Sequence, residues 1–247
     1  TDPLPAGFYA LTVDPSAVLD RAGNQLAEAY DESLVVHEPV DENTALWVSR
    51  EGGRWTDAVN WLDERVPSTE TLVILDVQGS DGPILIDSNY TVVGLETSED
   101  LVIPAGGHLN TRGDAILDGV VTVESGGHLQ IRPLDGGSAT VTVGGSVDLQ
   151  DGARLTMIGD ASLSLPDVVS LVGITLTLSN GATLELDTLE SMSETALTVS
   201  GGGTQLMVPL LFNVDGSTLS INSGMVLALP LVVAAEDFSA TVMGAGS

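Results

Sequence analysis

From Leu155 onward the chain repeats itself at a period close to 21 residues. LTMIGD begins at Leu155, LTLSNG at Leu176, LTVSGG at Leu197, LSINSG at Leu219 and ATVMGA at Ala240, giving steps of 21, 21, 22 and 21. Upstream, VTV at Val121 and again at Val141 steps by 20, as does Gly-Gly-His at His108 and His128. The register slips over 147–155, where one coil is expected to carry an insertion. A period this short excludes most architectures. A propeller blade needs about 40 residues, and a sandwich has no reason to hold a near-constant spacing.

Within each repeat, apolar and polar residues alternate. In the repeat at Leu176, the residues Leu176, Leu178, Leu184, Leu186 and Leu189 are apolar, and Thr175, Thr177, Thr183, Glu185 and Asp187 are polar. Alternation with a period of two marks strands with one face buried. SNGA, SGGG, NSG and ESGG separate them, and Gly and Asn accept the left-handed backbone that tight corners need. Three short strands in about 21 residues cannot form a self-sufficient hairpin unit. They do form one coil of a stack that buries its inward rows on a shared axis. The expected fold is therefore all-β: a single-stranded parallel β-helix (β-solenoid) of about 21 residues per coil, with a small β capping region in front. Equivalent residues of adjacent coils then lie about 4.8 Å apart, so His108 and His128 should face outward and stack as a two-rung ladder.

Composition narrows the function. Apolar residues make up 43% of the 247 and aromatics only 4%, so the core must be aliphatic. The net charge is −28; all seven cations are arginines, and none follows Arg154. Nucleic acid binding needs cations to neutralise phosphates, and an anionic membrane surface needs them equally; neither partner is expected. The longest apolar run, 225–235, contains Pro230 and is too short to span a bilayer, which takes about 20 residues. With no cysteine there is neither a disulfide framework nor a thiolate metal site.

Two N-terminal stretches follow other rules. LPAGFYALTVDPSAVLDRAGNQL resembles the closing part of bacterial Ig-like domains from large surface proteins, through Pro5, Ala6, Gly7, Tyr9, Leu11, Val13, Asp20, Ala22, Gly23 and Asn24. SLVVHE, 33–38, would be its last strand; a short amphipathic helix over 15–30 is the alternative that Gly23 and Asn24 argue against. Next, WVSREGGRWTDAVNWLDERVPSTETLVILD resembles the entry segment ahead of β-solenoid repeats in bacterial adhesins and autotransporter-like proteins. Gly53, Trp55, Asn60, Trp61, Pro67, Val73 and Ile74 carry that likeness, and Glu70 and Thr71 stand where such segments commonly have Asp. The resemblance implies a solenoid start, extracellular or cell-surface display and no catalytic activity. The implied organisation is a partial Ig-like or β segment over 1–44, a Trp-containing entry and first coils over 45–100, and a regular solenoid over 101–247.

Candidate sites are few. His108 and His128 could share a divalent metal, but two imidazoles are too few ligands by themselves. Arg112 and Arg132, 20 residues apart, flank the same ladder with Asp114 and Asp135 nearby; a uronate-binding or lyase groove could be built there. Trp55 and Trp61 suit either a cap over the open core or a sugar-stacking platform. Glycan-binding candidates are thus Trp55, Trp61, Arg112 and Arg132. The crowded carboxylates Glu185, Asp187, Glu190 and Glu194 have no geometry fixed by sequence. The SDGP, DSN and DGGS turns offer loop oxygens for weak Ca2+ binding, and no other cofactor is expected. Ser-His-Asp, phosphate-loop and dinucleotide patterns do not stand out. ATVMGAGS stops within a coil, so an uncapped C-terminal coil is expected to meet neighbouring copies or further domains of a longer chain. The resulting expectation is a non-catalytic structural or adhesin-like stalk or filament element. The alternative is a polysaccharide-binding or polysaccharide-degrading β-helix protein.

Overall fold

The computed structural model describes residues 7–13, 30–36, 43–77, 80–222 and 232–244. Two compact units divide at 42/43. In the first, strands Gly7–Val13 and Tyr30–Val36 pair antiparallel, with Gly7 opposite Val36 and Val13 opposite Tyr30. The strand through Tyr9, Leu11 and Val13 is as expected, and the second overlaps the expected final strand. The Asp20–Asn24 turn and the alternative helix over 15–30 lie outside the described residues.

The second unit is the β-solenoid. Every strand-to-strand ladder in it is parallel, about eight coils stack, and there is no α-helix among the described residues. Each coil runs over three faces. The first sheet comprises Asn89–Val92, His108–Thr111, His128–Ile131, Arg154–Ile158, Thr175–Ser179, Ala196–Ser200, Thr218–Asn222 and Ser239–Met243. The second comprises Thr44–Leu46, Leu72–Leu75, Gly94–Thr97, Ala115–Leu117, Ser138–Val143, Asp160–Ser164, Thr183–Glu185 and Gln205–Met207. The third runs from Gly53–Arg54 through Ile84–Leu85, Leu101–Ile103 and Val120–Val123 to Ser146–Leu149. It breaks there and resumes with Ser170–Val172 and Ser191–Ser193.

Alternation and stacking together build the core. On the first sheet, Leu109, Leu129, Leu155, Leu176, Leu197 and Leu219 stand in one register column, and Val92, Thr111, Ile131, Met157, Leu178, Val199 and Ile221 in the next. All are buried. On the second sheet Val73, Leu95, Ala115, Val141, Leu163 and Leu184 form the matching column. Each buried threonine at a coil corner closes its hydroxyl onto nearby backbone: Thr97 Oγ1 donates to the Glu99 carbonyl at 2.9 Å, Thr111 to Gly113 at 3.0 Å, and Thr195 to Ser193 at 3.0 Å. Buried hydroxyls need such partners.

The insertion is not where the sequence places it. On the second sheet Ala115 pairs with Val141, a step of 26, and on the third Val121 pairs with Val147, again 26. On the first sheet His108 still pairs with His128. The extra residues therefore fall between Ile131 and Ser138, in the turn RPLDGG. The two VTV triplets are not equivalent: Val121 lies on the third sheet and Val141 on the second. Gly136, at φ 76°, makes that turn, and a Cβ there would meet nothing within 4 Å.

Candidate functional site: the outward ladder of the first sheet

Because inward residues alternate with outward ones, the first sheet presents two continuous outward columns, polar at every rung but Ala196. One is Asn89, His108, His128, Arg154, Thr175, Ala196, Thr218 and Ser239; the other is Thr91, Asn110, Gln130, Thr156, Thr177, Thr198, Ser220 and Thr241. The His ladder forms as expected. The rings of His108 and His128 stack with centroids 4.3 Å apart and planes 8° from parallel. Each ring nitrogen Nε2 reaches one coil further on: His108 meets Gln130 Oε1 at 3.0 Å and His128 meets Thr156 Oγ1 at 2.9 Å. Burial, then the neighbouring His108, then Arg154 push the His128 imidazole down to about 4. A neutral ring is what lets two imidazoles stack without repulsion.

Gln130, Thr156 and Arg154 are the members that sequence reasoning missed. The rule that finds Gln130 is simple: one coil on and two residues along. The 26-residue coil hides Thr156 and Arg154 from the same rule. Among the described residues no group of three or more His, Cys, Asp or Glu side chains is placed to hold a metal ion. The two imidazoles have their Nε2 atoms engaged with an amide and a hydroxyl.

The arginine candidates sit at the corner where each coil leaves the first sheet. Arg112 donates its backbone N–H to the Val92 carbonyl and Arg132 to Thr111, both at 2.9 Å, so the two are equivalent in successive coils. Arg132 lines a shallow cleft of about 370 Å3 with Asp135, Asp160 and Asn180, walled by the inserted turn. Asp114 is elsewhere engaged: its Oδ1 accepts the Thr140 N–H at 2.8 Å.

The tryptophans are interior. Trp47, Trp55 and Trp61 are 1%, 0% and 1% exposed. Trp61 stands edge-on to both others, 5.0 Å from Trp47 and 4.8 Å from Trp55, and its Nε1 donates to the Trp55 carbonyl at 2.8 Å. Trp55 also lies 5.2 Å from Tyr90. Neither Trp55 nor Trp61 offers a ring face to solvent, so a sugar cannot stack on them in this arrangement; both pack inside the first coil. Beside them Asp87 Oδ2 accepts from Thr56 Oγ1 at 3.1 Å and Arg54 Nη1 at 3.4 Å. Burial first and Asp87 second push the Tyr90 phenol up to about 12.

No family model, curated protein or solved structure matches the chain.

Proposed function

We propose that this chain is a non-catalytic structural or adhesin-like β-solenoid, an extracellular stalk or filament element of a bacterial cell surface. The observation that carries the reading is the shaft itself. Two sheets of eight strands run its length with unbroken register columns, about 34 Å from first to last rung at 4.8 Å per coil. Such a stack resists bending because every rung is hydrogen-bonded to its neighbours, and it projects whatever is attached to it. The bacterial and surface assignments rest on the Ig-like and entry-segment resemblances. In this reading the outer edge of Ser239–Met243, which pairs only with Thr218–Asn222 among the described residues, receives the next coil of a neighbouring copy or of further chain. Negative-stain electron microscopy across a concentration series tests it. Rods whose length grows with concentration are the result expected of a filament element. Rods of one fixed length at every concentration count against end-to-end assembly and leave a stalk segment.

The cleft beside Arg132 supports a second reading, a polysaccharide-binding or polysaccharide-degrading protein. A guanidinium and the Asp135 and Asp160 carboxylates around one opening are groups that hold acidic sugars or their counter-ions. Screening polyuronides for chain cleavage, with Arg132→Ala as the comparison, separates the readings. Cleavage lost in the variant would make the chain an enzyme.

A further inference from the structure

The eight strands of the first sheet read NYTV, HLNT, HLQI, RLTMI, TLTLS, ALTVS, TLSIN and SATVM. Not one holds an Asp or Glu, although the chain has 35 acidic residues. The second sheet carries Glu96, Asp160 and Glu185 on its strands, and the third carries Asp148. The first sheet also differs in its free groups. Among the described residues the hydroxyls of Thr177, Thr198 and Ser220 have no hydrogen-bond partner, and Thr175, Ala196 and Thr218 beside them are exposed. Threonine is stiff at χ1, so these hydroxyls and methyls form a fixed grid.

We infer that this face is the surface on which a second copy of the chain docks, shaft against shaft. Charge favours that occupant. A molecule of net charge −28 repels its own copies wherever carboxylates meet, and of the two eight-stranded faces this is the one whose described strands bring none. Period favours it as well, because only a stack with the same coil spacing stays in step over eight rungs, as in the flat side-chain ladders of stacked sheets.

The corners select the orientation. Glu124, Asp151, Glu194 and Asp215 stand just before the first-sheet strands; after them Arg112 and Arg132 offset Asp114, Asp135 and Asp160, so that corner is the less acidic of the two. Two isologous arrangements bring the faces together. A two-fold axis across the shafts sets the acidic corner against itself. An axis along the shafts sets it against the opposite corner, with Arg132 of one copy level with Glu124 of the other and both shafts pointing the same way. The second arrangement is favoured.

Eight strands at about 4.8 Å by five residues at about 3.3 Å give roughly 600 Å2 per partner, the lower end of specific interfaces. An interface at that lower end makes a reversible pairing, and it strengthens with salt as the repulsion between net charges is screened. Paired shafts refine the structural role proposed above and rest on it.

Sedimentation equilibrium of the full chain over a concentration and salt series tests the pairing. Particle width in electron micrographs separates it from end-to-end growth, which changes length. The wild type should dimerise, more tightly at about 0.5 M than at about 0.05 M salt. Thr198→Asp should weaken dimerisation at least tenfold, and Thr142→Asp, on the exposed side of the second sheet, should leave it unchanged. Arg132→Glu should weaken it too and Glu124→Arg in the same chain restore it, which guards against a variant that merely misfolds. The inference is overturned if the wild type stays monomeric to about 1 mM or if Thr142→Asp weakens pairing as much as Thr198→Asp. It is also overturned if single rods instead bind a neutral insoluble glycan through Thr198, since the occupant would then be the glycan.

Discussion

The first coil of the solenoid and its middle coils are held together by different means. Around Thr44–Leu46 and Gly53–Arg54 the core is three interlocked indoles. From Leu109 to Leu219 it is a column of leucine repeated at every rung, beside a second that is mostly aliphatic. The difference follows from neighbours. A middle coil is covered by a coil above and a coil below, so small aliphatic side chains suffice to close it. Among the described residues the first coil has strand partners on one side only, in Leu72–Leu75 and Ile84–Leu85. Large rings cover in one place what repetition covers elsewhere, and aromatic pairs add about 0.5–1.5 kcal/mol beyond their area.

The largest effect should come from breaking the aromatic cluster. Trp61→Ala removes both edge-to-face contacts and the hydrogen bond to the Trp55 carbonyl, and should cost about 3–5 kcal/mol in urea unfolding. Hydrogen exchange should accelerate first in 43–62. If the loss of protection were instead even along the shaft, the first coil would not be an independently built closure. In the aliphatic part Leu176→Ala should cost about 3 kcal/mol. Its loss of protection should spread to the rungs of Leu155 and Leu197, because each coil is stabilised through its nearest neighbours.

A smaller effect distinguishes two glycines. A Cβ on Gly127 would stand 2.2 Å from the Ile103 carbonyl oxygen, whereas one on Gly136 meets nothing within 4 Å. Gly127→Ala should therefore cost about 1–3 kcal/mol through overpacking between coils. Gly136→Ala should cost about 1 kcal/mol, from its positive φ alone. Equal melting temperatures for the two variants would show that coils can separate at the Gly-Gly-His corner without loss.

These contrasts also mark what could be read in advance. The coil period, the inward leucine columns and the stacking of His108 on His128 were legible because each depends only on strand alternation and a constant step. The place of the six-residue lengthening was not, because VTV at Val141 imitates VTV at Val121 while lying on another face. The second-sheet column passes from Ala115 to Val141, and no local pattern announces that pairing. The partners of the imidazoles were hidden for the same reason, since Thr156 is 28 residues beyond His128. Nor does any pattern distinguish an acid-free sheet, because the three faces follow one another every few residues and separate only once register is known.

The smallest effects set the two regions at opposite ends of the pH scale. His128 titrates at about 4 in the folded chain, against about 6.5 when unfolded. The unfolded chain thus binds more protons between those values. Stability from the ladder is complete above about pH 6.5 and is lost as pH falls toward 4. Tyr90 is the reverse case, since its phenol holds the proton up to about 12 when folded, against about 10 unfolded. Its contribution is complete below pH 10 and is lost as pH rises through 12. Both rings are partly open to solvent, which reduces each contribution to the order of 1 kcal/mol. Urea midpoints from pH 4 to 7 should fall on the acid side in the wild type and flatten in His128→Asn, with Tyr90→Phe unaffected there. Between pH 9 and 11 the roles exchange: Tyr90→Phe flattens the fall and His128→Asn does not. Either variant flattening both limbs would mean that the cap and the ladder titrate as one unit. The independence of the aromatic first coil from the repeated shaft would then fail.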